Sequence, residues 1–292
     1  MVDLIAAADF MAGHARPIDR RRFDVLLRGA PPGGLLAALE AYRNPDGGYG
    51  WGLEPDLRDT RSQPAPALHA FEVFEDAAPA TSPRAVELCD WLETVTLPDG
   101  GLPFALPVES SAGCAPFWAN ADGDTSSLQI TAIVTAMAHR VARHDPAVAK
   151  HPWLRRATDY CLATIEAEGK VAESMALAFA FQALDVASRP EADALVRRLG
   201  ARIPRDGRMK VVGGSPDEYM RPLDFTPLPG GPVRRIFDSQ VIAAELARLE
   251  SQQEPDGGWR VDFASYSPAA ELEWRGHTTV KVLALLKRNG RL

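Results

Sequence analysis

One tight turn, Pro-Asp-Gly-Gly, recurs along the sequence, and this recurrence limits the chain to a few architectures. The turn begins at Pro45, Pro98 and Pro255, and a degenerate copy begins at Pro204. The copies follow a period of about 50 residues, with one slot, Glu166 to Lys170, that lacks the motif. A fixed period of this length is typical of repeat architectures. Because proline and paired glycines stop helices, each copy predicts the end of a helix.

The helix-like segments are of two kinds. Those that precede the turns or the empty slot are Leu35 to Tyr42, Ala85 to Val95, Ala157 to Glu166, Ala192 to Ile203 and Val241 to Gln252. The last two carry charges on one face only, which predicts helices with one solvated side. By contrast, Ser127 to Met137 and Ser174 to Leu184 carry no charge on any face, which predicts helices buried all round.

Hairpins that pair an outer with an inner helix build either an open α-solenoid or a closed ring. The repeat is longer than the about 33 to 47 residues of common solenoid repeats. The loops Asn44 to Arg61 and Leu97 to Gly123 are also long, and long loops in compact domains usually carry function. We therefore predict an all-α fold, a closed double ring of about five or six helical hairpins, as one domain over residues 1–292. Arg208 to Val212 gives a weak strand signal.

Composition narrows the function classes. With 46% hydrophobic and 24% charged residues, the chain can bury a sizeable core. A net charge of −7 argues against nucleic acid as a partner. Three scattered cysteines, Cys89, Cys114 and Cys161, are too few for a disulfide framework or a Cys-rich zinc site. There is no signal-peptide pattern and no run of about 18 apolar residues, so we expect a soluble cytoplasmic protein.

The last turn carries a resemblance to a known superfamily. Gln253, Gly257 and Trp259 match the three defining positions of the QW repeat of terpenoid cyclases, whereas the first copy keeps the aromatic as Tyr49 and the second has Leu102 there. The superfamily includes squalene-hopene cyclase, single-domain class II terpene cyclases and the β subunits of protein prenyltransferases. The resemblance implies an α/α toroid around an apolar central cavity. The repeat itself argues for fold rather than chemistry.

A second resemblance gives the candidate catalytic residues. Asp122-Gly-Asp124-Thr125 is similar to the Asp-x-Asp-Asp motif of class II terpene cyclases, with Thr125 in place of the last aspartate. The resemblance implies Asp124 as the proton donor, and we expect Asp122 to orient it. Protonation of an alkene requires a strong acid that is shielded from water. The alternative is that Asp122 or Asp124 only caps the helix that follows.

The segment Glu54 to Arg61 holds three acids and two arginines in eight residues. Arg58 and Arg61 could grip a substrate diphosphate, or the acids could hold Mg²⁺. The alternative is a salt-bridged loop that caps an inner helix starting near Ser62. The Asp-Asp-x-x-Asp motif of class I synthases is absent, which disfavours chemistry initiated by ionisation.

His277 lies where the toroidal prenyltransferases place a zinc-ligating histidine, which is a further resemblance. Their remaining ligands include an Asp-x-Cys pair, and the nearest upstream candidate, Asp238-Ser-Gln240, lacks the cysteine. We therefore assign no metal site and expect His277 to be a helix-start residue or a polar group of the cavity wall.

Six aromatic residues near the loops complete the candidate substrate contacts: Tyr49, Trp51, Phe117, Trp118, Trp259 and Trp274. Aromatic faces stabilise carbocations, although ordinary packing explains any single one of them equally well. The run Arg20 to Arg22 is expected to be a solvated helix face, with contact to a membrane surface as the alternative.

Three functions remain. The first is a class II cyclase acting on a linear isoprenoid, which requires no cofactor and takes Mg²⁺ only alongside a diphosphate substrate. The second is a prenyltransferase-like enzyme, and the third is a non-catalytic toroid that binds a lipid or a protein. We expect the first, and the sequence leaves the oligomeric state open.

Overall fold

The computed structural model describes residues 2–168, 174–187, 189–212 and 215–292, and most of these residues are helical. The first seven α-helices in chain order are α1 (Leu4–His14), α2 (Pro17–Arg28), α3 (Gly33–Leu39), α4 (Pro64–Asp76), α5 (Pro83–Val95), α6 (Pro116–Ala119) and α7 (Leu128–Ala142). The next seven are α8 (Pro146–Ala149), α9 (Pro152–Glu168), α10 (Ser174–Val186), α11 (Pro190–Gly200), α12 (Pro222–Phe225), α13 (Ser239–Ser251) and α14 (Pro268–Arg288).

Very little of the described chain is extended. Strand β1 (Met209–Lys210) pairs with β2 (Tyr219–Met220) in an antiparallel hairpin in which Met209 lies opposite Met220. The weak strand signal of the sequence is therefore confirmed.

The helices form two concentric layers, as the two kinds of segment predicted. Helices α7 and α10 are buried along nearly their whole length, because they have almost no charged residue that would need water. In the inner layer α2 contacts α4, α4 contacts α7, α7 contacts α10, α10 contacts α12, and α14 returns to α2. Helices α5, α9, α11 and α13 pack outside them. The result is an all-α toroid, which confirms the predicted fold class.

The repeated turns share one geometry. Gly47, Gly100, Gly207 and Gly257 all have positive φ, of 94°, 97°, 70° and 91°. This region costs L-residues energy and leaves glycine unstrained. In the three full copies the aspartate side chain accepts a hydrogen bond from the second glycine, as Asp256 does from Gly258 at 3.1 Å. The slot that lacks the motif ends at residues 169 and 170, which lie outside the described residues.

The last turn closes the ring. The Gln253 side chain donates to the Asp3 carbonyl and accepts from the Asp3 amide, both at 2.8 Å. The Trp259 indole donates to the Leu249 carbonyl at 2.8 Å, and Trp259 is fully buried. The glutamine of the QW pattern therefore ties the last hairpin to the N-terminal helix across 250 residues.

Among the described residues, no helix is both long and apolar enough to cross a lipid bilayer.

We predict that Gly257→Ala strongly destabilises the fold. A Cβ at this position would collide with the Ala6 carbonyl of the neighbouring helix. Gly290→Ala is the matched control, because Gly290 also has positive φ (69°) but a Cβ there meets open space. We expect the control to lose about 1 kcal/mol and Gly257→Ala to lose about 1 to 3 kcal/mol more in urea unfolding. Equal losses would show that the turn does not pack closely on α1.

Candidate active site

The turn that holds Asp122 and Asp124 is exposed and precedes α7. Asp122 accepts hydrogen bonds from the Asp124 amide at 2.8 Å and from the Thr125 hydroxyl at 2.5 Å. These bonds lower the pKa of Asp122. The helix is capped instead by Ser127, whose hydroxyl accepts from the Ile130 amide, so the capping interpretation of Asp122 and Asp124 is wrong. The water-shielded surroundings expected of a proton donor are also missing, and the catalytic role of Asp124 stays a prediction.

The three acids of the first long loop do not converge. Glu54 contacts His69 at 3.1 Å. Asp56 accepts from the Trp274 indole at 2.7 Å and from the Tyr266 amide at 3.2 Å. Asp59 pairs with an arginine of the same loop. Within the described part of the chain, these acids form no group of three that could share a metal ion, so the geometry does not support a magnesium site among them.

The two arginines of this loop are already engaged. The Arg58 guanidinium lies 2.8 Å from a carboxylate oxygen of Glu273. Arg61 pairs with Asp59 at 3.1 Å and donates to the Pro107 carbonyl at 2.8 Å. The loop is therefore salt-bridged, as in the alternative interpretation, but α4 begins at Pro64 and receives no side-chain cap from it. Both side chains keep partial exposure, Arg61 about half.

The six aromatic residues are spread over different environments. Tyr49 and Trp259 are fully buried in their turns, where this conformation gives a ligand no access. Trp118 is buried and stacks on a neighbouring phenylalanine. Trp51 and Phe117 are exposed by 55% and 54%. The Phe117 and Trp118 rings lie 5.4 Å apart, and the Trp274 ring meets that of His277 edge-on at 5.4 Å.

His277 joins a buried polar cluster instead of an apolar cavity wall. Its Nε2 lies 2.9 Å from Oε2 of Glu72 on α4. The same oxygen is 3.1 Å from Nδ1 of His69 and 3.1 Å from the Arg22 guanidinium. His277 lies well inside α14 rather than at the helix start, so the helix-start expectation is wrong. Asp238, the nearest upstream match to the aspartate of the zinc motif, is exposed at the start of α13.

The charges in this cluster are set by burial and by direct contacts. Burial disfavours a charged His69, but its contacts with Glu54 and Glu72 outweigh this effect and raise its pKa to about 9. Burial lowers the pKa of His277. The neighbouring His277 and Arg22 hold the pKa of Glu72 well below its usual value, against the effect of burial. The cluster therefore places a cationic His69 between two carboxylates.

The polar cluster continues across the axis of the ring. Arg22 on α2 pairs with Asp76 at 2.7 Å. Arg288 on α14 lies 3.5 Å from Glu75 of α4, and Arg140 on α7 donates to the Gln182 side chain of α10 at 2.7 Å. Side chains from five inner helices therefore meet in one network of charges and hydrogen bonds.

This network replaces the apolar central cavity that the resemblance implied. The two best-defined pockets of the described residues have volumes of about 10 Å³ and about 0 Å³ and lie between outer and inner helices. A volume of 10 Å³ holds at most about one water molecule. The described side chains at the axis are charged and paired, whereas the resemblance implied an apolar centre.

The residues at the centre of the ring were not predicted from the sequence. His69 and Glu72 are three residues apart in the otherwise largely apolar first part of α4. Two ionisable residues on a helix that is otherwise apolar could have been recognised in the sequence as a candidate polar site. The arginine run was expected to be solvated throughout. Arg20 and Arg21 are exposed, but Arg22 points to the opposite side of α2 and is buried, because neighbouring helical positions face different directions.

Comparison with known proteins supports the architecture. No protein-family model and no curated protein matches the sequence. Among solved structures, the chain is similar to the type II terpene cyclase MstE from Scytonema without ligand, at 16% identity and a TM-score of 0.58, covering 99% of this chain and 98% of that one. It is also similar to a single-residue variant of MstE in complex with its substrate geranylgeranyl dihydroxybenzoate, at 15% identity and a TM-score of 0.53, covering 98% and 88%. The chain therefore has the α/α-toroid fold seen in a terpene cyclase.

We predict that Arg22→Met destabilises the protein by about 3 to 5 kcal/mol, because it removes the guanidinium that pairs with the buried carboxylates of Asp76 and Glu72. The neighbouring Arg21→Met is the matched control. The Arg21 side chain is 58% exposed and pairs loosely with Asp24 at 3.6 Å, so we expect a change within about 0.5 kcal/mol. Chemical denaturation of the two variants measures the difference. Similar stabilities would mean that the network is not paired as described.

Proposed function

We propose that the protein is a class II cyclase that protonates and cyclises a linear isoprenoid or a prenylated small molecule. The observation that carries this proposal is the likeness of the whole chain to a type II terpene cyclase, including a complex of that enzyme with a prenylated aromatic substrate. Because this chain forms a toroid of the same extent, we propose that the prenyl chain enters between its inner helices.

The proposed reaction needs an acid, a dry site and a stabilised cation. Asp124 is the proposed donor, on its resemblance to the middle aspartate of the class II motif. Because Asp124 is exposed, the substrate itself must cover it and exclude water. The exposed Phe117 on α6 and the buried Trp118 beside it supply aromatic faces on the same loop.

Asp56 is the competing candidate for the acid. Its side chain is buried, and burial raises its pKa, which favours the protonated form that a donor requires. It also contacts the Trp274 indole and lies in the loop that bears Arg58. A comparison of Asp124 and Asp56 therefore identifies the donor.

We predict that Asp124→Asn abolishes cyclisation and leaves the melting temperature nearly unchanged. Asn removes the transferable proton at constant shape, and the side chain is exposed. The assay is incubation with geranylgeranyl diphosphate, squalene or geranylgeranyl dihydroxybenzoate, followed by mass spectrometry of the products. Asp159→Asn, at an exposed position of α9, is the control and is expected to retain full activity. Full activity of Asp124→Asn together with an inactive but folded Asp56→Asn would assign the donor to Asp56.

A second prediction concerns the substrate head group. Replacing Arg58 and Arg61 with Ala should raise KM for geranylgeranyl diphosphate about 10-fold or more, because each lost charged hydrogen bond is worth about 1.5 kcal/mol or more. KM for squalene, which has no anionic group for an arginine to bind, should not change. An equal rise for both substrates would indicate a general disturbance of the loop.

The polar centre of the ring favours a second function, a non-catalytic toroid that binds a lipid or a protein. The charged side chains that pair at the axis of the described structure differ from the apolar lining that a folded prenyl chain requires. If the wild-type protein forms no product from any of the three substrates, this second function replaces the first.

A further inference from the structure

The geometry points to a binding site for one divalent transition-metal ion, best matched by Zn²⁺, formed by His69, Glu72 and His277. This inference goes beyond the proposed function, because cyclisation initiated by a carboxylic acid requires no metal. It rests on the position of three ligand atoms, on the rigidity of the helices that carry them and on a carboxylate that orients one of the histidines.

The ligand atoms are spaced as a metal ion requires. Nδ1 of His69 and Nε2 of His277 lie 3.1 Å and 2.9 Å from Oε2 of Glu72, and one ligand atom from each residue lies within 4.8 Å of those from the other two. Tetrahedral Zn²⁺ with bonds of about 2.0 to 2.1 Å holds neighbouring ligand atoms about 3.3 Å apart. Two imidazoles and one carboxylate form a known class of three-ligand site that leaves a position free for water or substrate.

The helices hold this donor set in place. His69 and Glu72 are three residues apart on α4 and therefore project from the same face. His277 comes from α14, and its ring centroid lies 5.0 Å from that of His69. Trp274 meets both imidazoles edge-on, at 5.8 Å and 5.4 Å. Both histidines are buried, so the rings have little freedom to turn away.

Glu54 is positioned to act as the outer-sphere partner of His69. Its Oε2 lies 3.1 Å from Nε2 of His69, the nitrogen that faces away from Glu72. When the metal binds Nδ1, the cationic His69 releases its Nδ1 proton to solvent; Nε2–H then donates to Glu54, and this contact fixes the tautomer and the ring orientation. Metal-binding histidines in proteins almost always have such a partner. The site thus has three ligands, and Glu54 orients one of them, His69.

Besides His69, the Arg22 guanidinium contacts a ligand oxygen, at 3.1 Å from Oε2 of Glu72. It also holds Asp76 at the shorter distance of 2.7 Å. We expect Arg22 to stay paired with Asp76 and to lose its contact with Oε2 of Glu72 when the ion binds. The carboxylates of Glu54 and Glu72 then offset the charge of the metal.

The test is metal binding by tag-free protein that has been stripped with a chelator and dialysed. Co²⁺ is titrated while its visible absorption is recorded, and Zn²⁺ affinity is measured by competition with a chromophoric chelator. We expect one ion per chain, with the intense absorption of cobalt in a low-symmetry site. Glu72→Gln, which preserves shape, and His277→Ala should each weaken binding about 100-fold, and Glu54→Gln about 10-fold.

His14→Ala is the matched control, since His14 is an exposed histidine of α1, and its affinity should equal that of the wild type. Circular dichroism establishes that each variant is folded, and Zn²⁺ should raise the melting temperature of the wild type but not of Glu72→Gln. Weak binding by the wild type without fixed stoichiometry would overturn the inference, whether or not the variants fold. Tight binding that Glu72→Gln and His277→Ala leave unchanged would overturn it as well.

Discussion

Pairing of buried charges at the axis of the ring is the interaction on which the inner layer depends. A buried ion without a partner costs several kcal/mol, so the helices must meet where their cations and carboxylates match. Arg22 satisfies this requirement for α2 and α4 by bridging Asp76 and Glu72. Arg288 of α14 and Arg140 of α7 both lie near Glu75 of α4, so the need to match charges also applies to these two helices. The network therefore fixes the relative register of helices whose other contacts are apolar and less specific.

The glycine turns position the helices whose charged side chains pair at the axis. Each turn reverses the chain where an outer helix ends, and its positive φ leaves little choice but glycine. The last turn does more than reverse the chain, because Gln253 binds the backbone of Asp3 and so joins the last hairpin to the first helix. An open solenoid would leave these groups without partners.

The proposed functions depend both on the toroid fold and on the charged side chains at its axis. The likeness to a type II terpene cyclase extends over the whole chain and shows a common fold at 16% identity. Chemistry depends on individual side chains, which this identity does not carry over. In this chain the two candidate sites lie apart, one in the exposed loop around Asp124 and the other in the buried cluster around Glu72. The first place suits a donor that substrate covers, and the second suits a metal ion.

The sequence by itself determined the double ring. The Pro-Asp-Gly-Gly period located the ends of helices, and the uncharged segments identified α7 and α10 as inner helices, because burial all round is incompatible with unpaired charge. Both signals are read from short segments, since each turn is four residues long and each uncharged segment is eleven. Only the tertiary structure decided which polar side chains meet. Glu72 and His277 are 205 residues apart and touch because α4 and α14 lie on the same axis. Local periodicity gives the buried face of each helix but carries no information on its partner across the ring, so the cluster at the centre was determined by packing alone.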